Sequence, residues 1–427
     1  MKLDKKLIWS AVIGCSVLVI VVAVIICIAV FSGKDETDSP SDEETESYKD
    51  TSILDEFDEF AGVWIASVFN IDYPSRADLS ADELKAEIDS IVNTAKDTGL
   101  NTIFFQVRPE ADALYASEIF PVSKYMSTTG KLEFDALEYM VYAAHKEGIA
   151  VHAWVNPLRV SSSSSVTLDT LPDEHPAKEN PDWVVTYADG KMYFDAGIPE
   201  VRELVVSGVE EIMDNYNVDG IVFDDYFYPY PVYETLESGT RTPVEFDDAE
   251  TFAAYGGDAS LENWRRENIN KIIKDVYAAV KAKRQRCLFG VSPFGIWKNG
   301  YGDESGSLTA GSESYSMLYC DTVAWIKGGY IDYVAPQLYW TKNEKAAPYD
   351  ELCDWWNSAV EGSGVRLLIS HAAYRYDEGW SEPAGIMADQ VNYAREKDNY
   401  RGSIYYGYSE IFSNVYGIKK ELEELYK

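Results

Sequence analysis

Basic residues, cysteine and histidine are all in short supply in this chain. Lysine and arginine total 37 against 72 aspartates and glutamates, a formal charge of −35. Phosphate binding needs a cationic footprint, so this balance argues against a nucleic-acid partner. It suits solubility outside a cell. Two of the five cysteines, Cys15 and Cys27, fall in an N-terminal apolar segment. The other three, Cys287, Cys320 and Cys353, are odd in number and far apart, which fits neither a disulfide framework nor a zinc site. The four histidines include no His-x-x-x-His or similar pair, so no metal and no cofactor is expected. No Gly-x-Gly-x-x-Gly turn follows a strand and no Walker-type loop occurs, which removes the main support for a nucleotide-binding fold.

Apolar residues, at 46%, are abundant enough for a globular core. Aromatics reach 14%, with 31 Tyr and 11 Trp. Many belong in a core, but such a surplus also suits stacking on the C–H faces of sugar rings. At the N-terminus, Leu7 to Phe31 is a run of 25 residues without a charge, preceded by Lys2, Lys5 and Lys6. That length crosses a bilayer as a helix, and the positive-inside rule leaves everything after it outside the cytoplasm. The expectation is a single-pass anchor in the cell membrane, with the folded domain extracellular. Val12-Ile-Gly-Cys15 offers a competing lipoprotein cleavage pattern, but an apolar stretch follows Cys15 where a polar tether belongs. Residues 33–57 are rich in Asp, Glu, Ser and Thr and lack apolar periodicity, the composition of a disordered spacer. The domain reading is therefore 1–32 cytoplasmic stub and anchor, 33–57 linker, and 58–427 folded domain.

In the folded part, short apolar runs alternate with helical patterns. Strands are expected at 62–68, 102–107, 149–155, 219–228, 288–292, 331–338, 365–370 and 402–407. Helices are expected at 80–98, 135–147, 199–215, 261–282 and 417–427, the first opened by the capping-box pair Ser80 and Glu83. Eight strands separated by helices predict an α/β fold, a (β/α)8 TIM barrel preceded by one transmembrane helix and an acidic linker. Polar residues end the strands: Gln106 and Arg108, Asn156, Asp224-Asp225, Ser292, Gln337 and Tyr339, His371, Glu410. Together they outline a ring of polar groups at one end of a barrel, where this fold keeps its chemistry.

Those strand ends carry a resemblance. Gly62-Val-Trp-Ile-Ala, Phe105-Gln-Val-Arg-Pro109, His152-Ala-Trp-Val-Asn-Pro157, Gly220-Ile-Val-Phe-Asp-Asp-Tyr-Phe-Tyr-Pro229, Val291-Ser-Pro-Phe-Gly295 and Pro336-Gln-Leu-Tyr-Trp340 resemble motifs of the glycosyl hydrolase-like 10 family. The likeness spans roughly residues 58 to 415. It implies a bacterial cell-envelope barrel with glycosidase activity; the family includes enzymes that cut peptidoglycan glycan strands stripped of stem peptides. A peptidoglycan or related polysaccharide substrate follows from the resemblance, not from composition. The stretch 219–226 is also similar to the catalytic strand of chitinase-like barrels. Val222 and Tyr226 stand where that pattern has an Asp and its proton-donating Glu, which argues against chitinase-type chemistry.

Strand alternation places Val222, Asp224 and Tyr226 on one face and Asp225 on the other. Asp224 is the expected catalytic carboxylate over the mouth, with Asp225 supporting it or binding substrate. Both could instead cap a helix or hold a loop. Glycoside cleavage usually needs two carboxylates. Glu110 is the first choice for the second, then Glu410; Asp225 serves if the strand end twists. Gln106, Arg108, Asn156, Tyr226, Gln337 and Tyr339 suit sugar hydroxyls, and Trp154 and Trp340 are candidate sugar platforms. His152, mid-strand, reads as a core residue and His371 as a substrate contact near the mouth. The rival readings are a non-catalytic barrel that binds envelope glycan as a scaffold, and a solute-binding receptor, which usually shows two lobes.

Overall fold

The structure, a computed structural model, describes residues 57–427 other than 302–304, 378 and 381–382. The expected anchor, and all of the linker but Phe57, lie outside the described residues. Among the described residues no helix is long and apolar enough to cross a membrane.

Eight strands close into a barrel in chain order: β1 (Phe60–Ile65), β2 (Thr102–Arg108), β3 (Ala150–Val155), β4 (Gly220–Phe223), β5 (Leu288–Val291), β6 (Tyr333–Val334), β7 (Arg366–Ala372) and β8 (Tyr400–Tyr406). All neighbours pair in parallel, and β1 closes the ring on β8 through Phe60↔Gly402 to Val63↔Tyr405. A helix follows each strand: α1 (Ala81–Thr98), α2 (Ala136–Lys146), α3 (Pro199–Asn215), α4 (Leu261–Lys283), α5 (Thr322–Gly328), α6 (Tyr349–Ala359), α7 (Ile386–Arg395) and α8 (Ile418–Tyr426). This is a TIM barrel.

The sequence signals act locally as expected. Ser80 caps α1 while the Glu83 side chain accepts from the Ser80 N–H at 2.9 Å, satisfying two orphan donors. Along α1, Leu84, Ile88, Ile91, Val92 and Ala95 recur at helical spacing and form its buried stripe. Gly99, at φ 77°, ends the helix in a left-handed turn that favours glycine. The expected strand at 331–338 is shorter than its apolar run, because Pro336 has no N–H to give the ladder.

The core divides in two. A large cluster fills the layer between barrel and helices, and a smaller one, including Phe104, Trp154, Val222, Tyr333 and Leu368, fills the barrel itself. His152 lies among the interior side chains, with Nδ1 2.8 Å from the Tyr333 hydroxyl. A Cβ at Gly220 would collide with His152 and one at Gly290 with Tyr333, so these glycines make room for large interior rings. The barrel is plugged beneath its mouth. Cys287, Cys320 and Cys353 are buried free thiols.

Candidate active site

The last β4 residue is Phe223, and Asp224 and Asp225 follow at its C-terminal end. Both are buried, at 4% and 2% exposure, and both line a cleft of ≈ 170 Å³. Asp224 Oδ2 accepts from Trp154 Nε1 at 3.0 Å and Asn156 Nδ2 at 3.2 Å, both from the β3 end. Its Oδ1 faces the Tyr226 N–H at 3.4 Å. Burial raises its pKa from 3.8 to about 6; Arg159 pulls it down and the neighbouring Asp225 pushes it up. Asp225 accepts from the Tyr230 hydroxyl and the Gln337 amide. Burial raises its pKa too, while those two hydrogen bonds favour its charged form. Two adjacent carboxylates with different donors are thus held where one can carry a proton and the other a charge.

The walls are aromatic. Trp64 and Trp154 meet edge to face with centroids 5.0 Å apart on one side. Tyr339, Tyr374 and Tyr406 gather on another, with Tyr374 5.9 Å from Tyr339 and 5.8 Å from Tyr406. Ser370 Oγ anchors both walls, 3.0 Å from Trp64 Nε1 and 3.1 Å from the Tyr339 hydroxyl. Ser292 and Gln337 complete the lining, with Gln337 Nε2 donating to Ser292 O at 3.1 Å.

The family described as glycosyl hydrolase-like 10 matches residues 59–384. The chain belongs to this family. It is a glycoside hydrolase. It is 39% identical over 373 residues to a glycosyl hydrolase, YngK, of Bacillus subtilis (strain 168), covering 85% of this chain and 71% of that protein. It is 38% identical over 348 residues to the glycosyl hydrolase DigH of Escherichia coli (strain K12), covering 77% and 75%. The glycoside hydrolase domain of PgaB (BpsB) from Bordetella bronchiseptica shares the fold, with a TM-score of 0.55 at 13% identity over 87% of this chain and 99% of that domain.

In this member of the family, Asp224, expected over the mouth by strand parity, and Trp154, Asn156, Gln337 and Tyr339, expected as sugar contacts, all sit in or against the cleft. Parity failed for Asp225. The strand ends at Phe223, alternation lapses, and both acids turn into the cleft. Glu110 is not among the cleft-lining residues. Its carboxylate is taken up by Lys124 Nζ (2.7 Å), the Ser162 N–H (2.7 Å) and the Tyr125 hydroxyl (3.2 Å), which tie together the loops after β2 and β3. Arg108 points away, into the helix layer. A register shift between Gln106 and Arg108 pairs Arg108 with Val155, and its guanidinium lies 4.4 Å over Phe120. Gln106 faces inward but spends its oxygen on the Ser67 and Val68 N–H groups at 2.9 and 3.0 Å, fixing the loop after β1. Trp340 and Glu410 lie outside the lining residues. His371 is fully buried between Gln390 and Ser403, because β7 runs on to Ala372 and turns it toward the helices.

Five cleft or near-cleft groups had no place in the sequence reading of the site, Tyr374 after β7 among them. Trp64 and Tyr406 come from strands whose polar ends drew attention elsewhere. Tyr230 lies past the β4 end, where alternation no longer guides. Arg159 stacks 4.8 Å over Tyr226 and donates from Nε and Nη2 to Pro109 O at 3.0 and 2.7 Å. Its signal was a cation three residues after Asn156, whose Oδ1 accepts the Arg159 N–H at 3.1 Å.

Proposed function

We propose that the protein is anchored in the cell membrane by residues 1–32, spaced by the acidic segment 33–57, and hydrolyses glycan strands of the cell wall outside the cytoplasm. The uncharged Leu7–Phe31 run and its preceding lysines support the anchoring. The observation that carries the chemistry is the Asp224–Asp225 pair in one aromatic-walled cleft. Asp224, held near its protonated form up to about pH 6, gives its proton to the leaving glycosidic oxygen. Asp225, whose charged form the Tyr230 and Gln337 hydrogen bonds favour against the burial that raises its pKa, faces the positive charge that develops on the sugar ring. The C–O bond breaks with its electrons on the leaving oxygen; water then adds its hydroxide to the anomeric carbon and returns its proton to the Asp224 carboxylate. The aromatic walls take the sugar's C–H faces.

The test uses the full chain in detergent, incubated with intact peptidoglycan and with glycan strands freed of stem peptides, with mass analysis of what is released. Oligosaccharides from the wild type and none from Asp224→Asn support the reading. Retention on the glycan without any released fragment establishes the scaffold reading instead.

A further inference from the structure

We propose that Tyr230, Phe294 and Trp340 form a distal carbohydrate subsite that continues the cleft over the ends of β5 and β6, so that long glycan chains are preferred to short ones. This rests on the glycan reading of the cleft. The cleft itself holds ≈ 170 Å³, below the ~300–1,000 Å³ of sites that enclose a whole ligand. A polymer must therefore lie largely outside it.

The aromatic rings show where. Tyr226 in the cleft wall meets Tyr230 with centroids 5.6 Å apart; Tyr230 meets Phe294 at 6.2 Å; Phe294 meets Trp340 at 5.5 Å. Interplanar angles of 68°, 71° and 80° make each contact edge to face, so the rings form a track rather than a closed stack. Tyr230 belongs to both parts: its hydroxyl holds Asp225, yet the residue is 37% exposed. Phe294 and Trp340 are half-buried. Trp340 is set firmly at the far end. Its carbonyl accepts from Gln390 Nε2 at 2.9 Å, and a Cβ at Gly295 would come within 2.7 Å of its ring, so only glycine there lets the indole lie this close to the β5 end.

The surface beyond the track has the same bias. Among the described residues, every exposed large hydrophobic, from Phe69 after β1 to Tyr416 after β8, lies on a connection leading from a strand to its helix. At the opposite end of the barrel the described residues expose none. Tyr230 belongs both to these exposed residues and to the cleft lining, which ties the aromatic track at the mouth to the substrate chain.

The experiment compares full-length wild type, Trp340→Ala, Phe294→Ala and Trp340→Phe on end-labelled glycan oligomers of increasing length. In the wild type kcat/KM should rise with length by about tenfold, mainly through KM. Both alanine variants should flatten that rise, and Trp340→Phe should keep part of it. A second arm measures retardation by soluble glycan strands in affinity electrophoresis, comparing Asp224→Asn with Asp224→Asn/Trp340→Ala. Loss of retardation in the double variant, with unchanged circular dichroism, supports the subsite. An undiminished length dependence in Trp340→Ala, or retardation equal in both, overturns it. Failure of the wild type to cut any glycan would sink the hydrolysis reading alone, because the retardation arm still decides the subsite.

Discussion

The loop ends of β2 and β4 each carry two buried acids, and the two pairs are put to different uses. Glu110 and Asp112 are tied into the loops after β2 and β3 and do not line the cleft. Glu110 has a lysine, a phenol and a backbone N–H as donors, and Asp112 Oδ1 accepts the Glu110 N–H at 3.0 Å. Asp224 and Asp225 have donors too, but no salt bridge within the described residues, and both open onto the cleft. A carboxylate saturated with donors holds loops; one left short of compensation beside an opening has a shifted pKa and room for substrate. Burial alone does not separate the two cases, since Asp112 is also pushed up, by burial first and by Glu110 second. Access does.

The largest test of this contrast is paired substitution. Asp224→Asn should fold and lose about 10²–10⁴-fold in kcat/KM on glycan strands, the usual worth of a positioned proton donor. Glu110→Gln should stay within a few-fold of wild-type activity but lose about 1–3 kcal/mol of stability in chemical denaturation, because a buried donor set loses its charged acceptor. Comparable activity losses in both would erase the distinction.

Stability against pH sharpens it. Asp224 has a folded pKa raised from 3.8 to about 6, so its contribution is full below 3.8 and is lost as pH rises through about 6. Asp224→Asn should therefore gain on wild type by up to ~3 kcal/mol between about pH 4 and pH 8. Asp112, also raised from 3.8, should act in the same direction, and Asp112→Asn should likewise flatten the stability profile. Only the first substitution should abolish activity. Denaturant melts across pH alongside rate measurements decide this; a flat difference between Asp224→Asn and wild type would contradict the buried-carboxylate account.

The smallest effect expected is on the shape of the rate profile. Trp154→Phe removes a donor that favours the charged Asp224. The alkaline limb of kcat/KM should move upward, with a loss of about three- to tenfold in maximal rate. A limb that stays in place would mean another group sets it.

The barrel was legible because its strands are buried on both faces and read as apolar runs, and because Ser80, Pro199 and Gly99 punctuate helices where local chemistry dictates. The place of Asp224 over the mouth was legible for a similar reason: alternation is a local property, and it carried one residue past the end of β4 at Phe223. It stopped being a guide at two points. The β2 register shift sent Arg108 outward, and the end of β4 at Phe223 released Asp225 from its expected face. Glu110 looked right by parity, and nothing local disclosed that Lys124, Tyr125 and Ser162 would occupy it.

The order of strands, the two adjacent acids and the aromatic surplus were thus written in the chain itself, since periodicity and composition are set residue by residue. Which acid pair opens to a ligand was decided by tertiary structure. The groups that hold Glu110, and those that line the cleft around Asp224 and Asp225, come from strands and loops far apart in sequence: Trp64, Ser292, Gln337, Tyr374 and Tyr406 meet only because the barrel closes. Whether a carboxylate is compensated or poised depends on those meetings, and no local pattern records them.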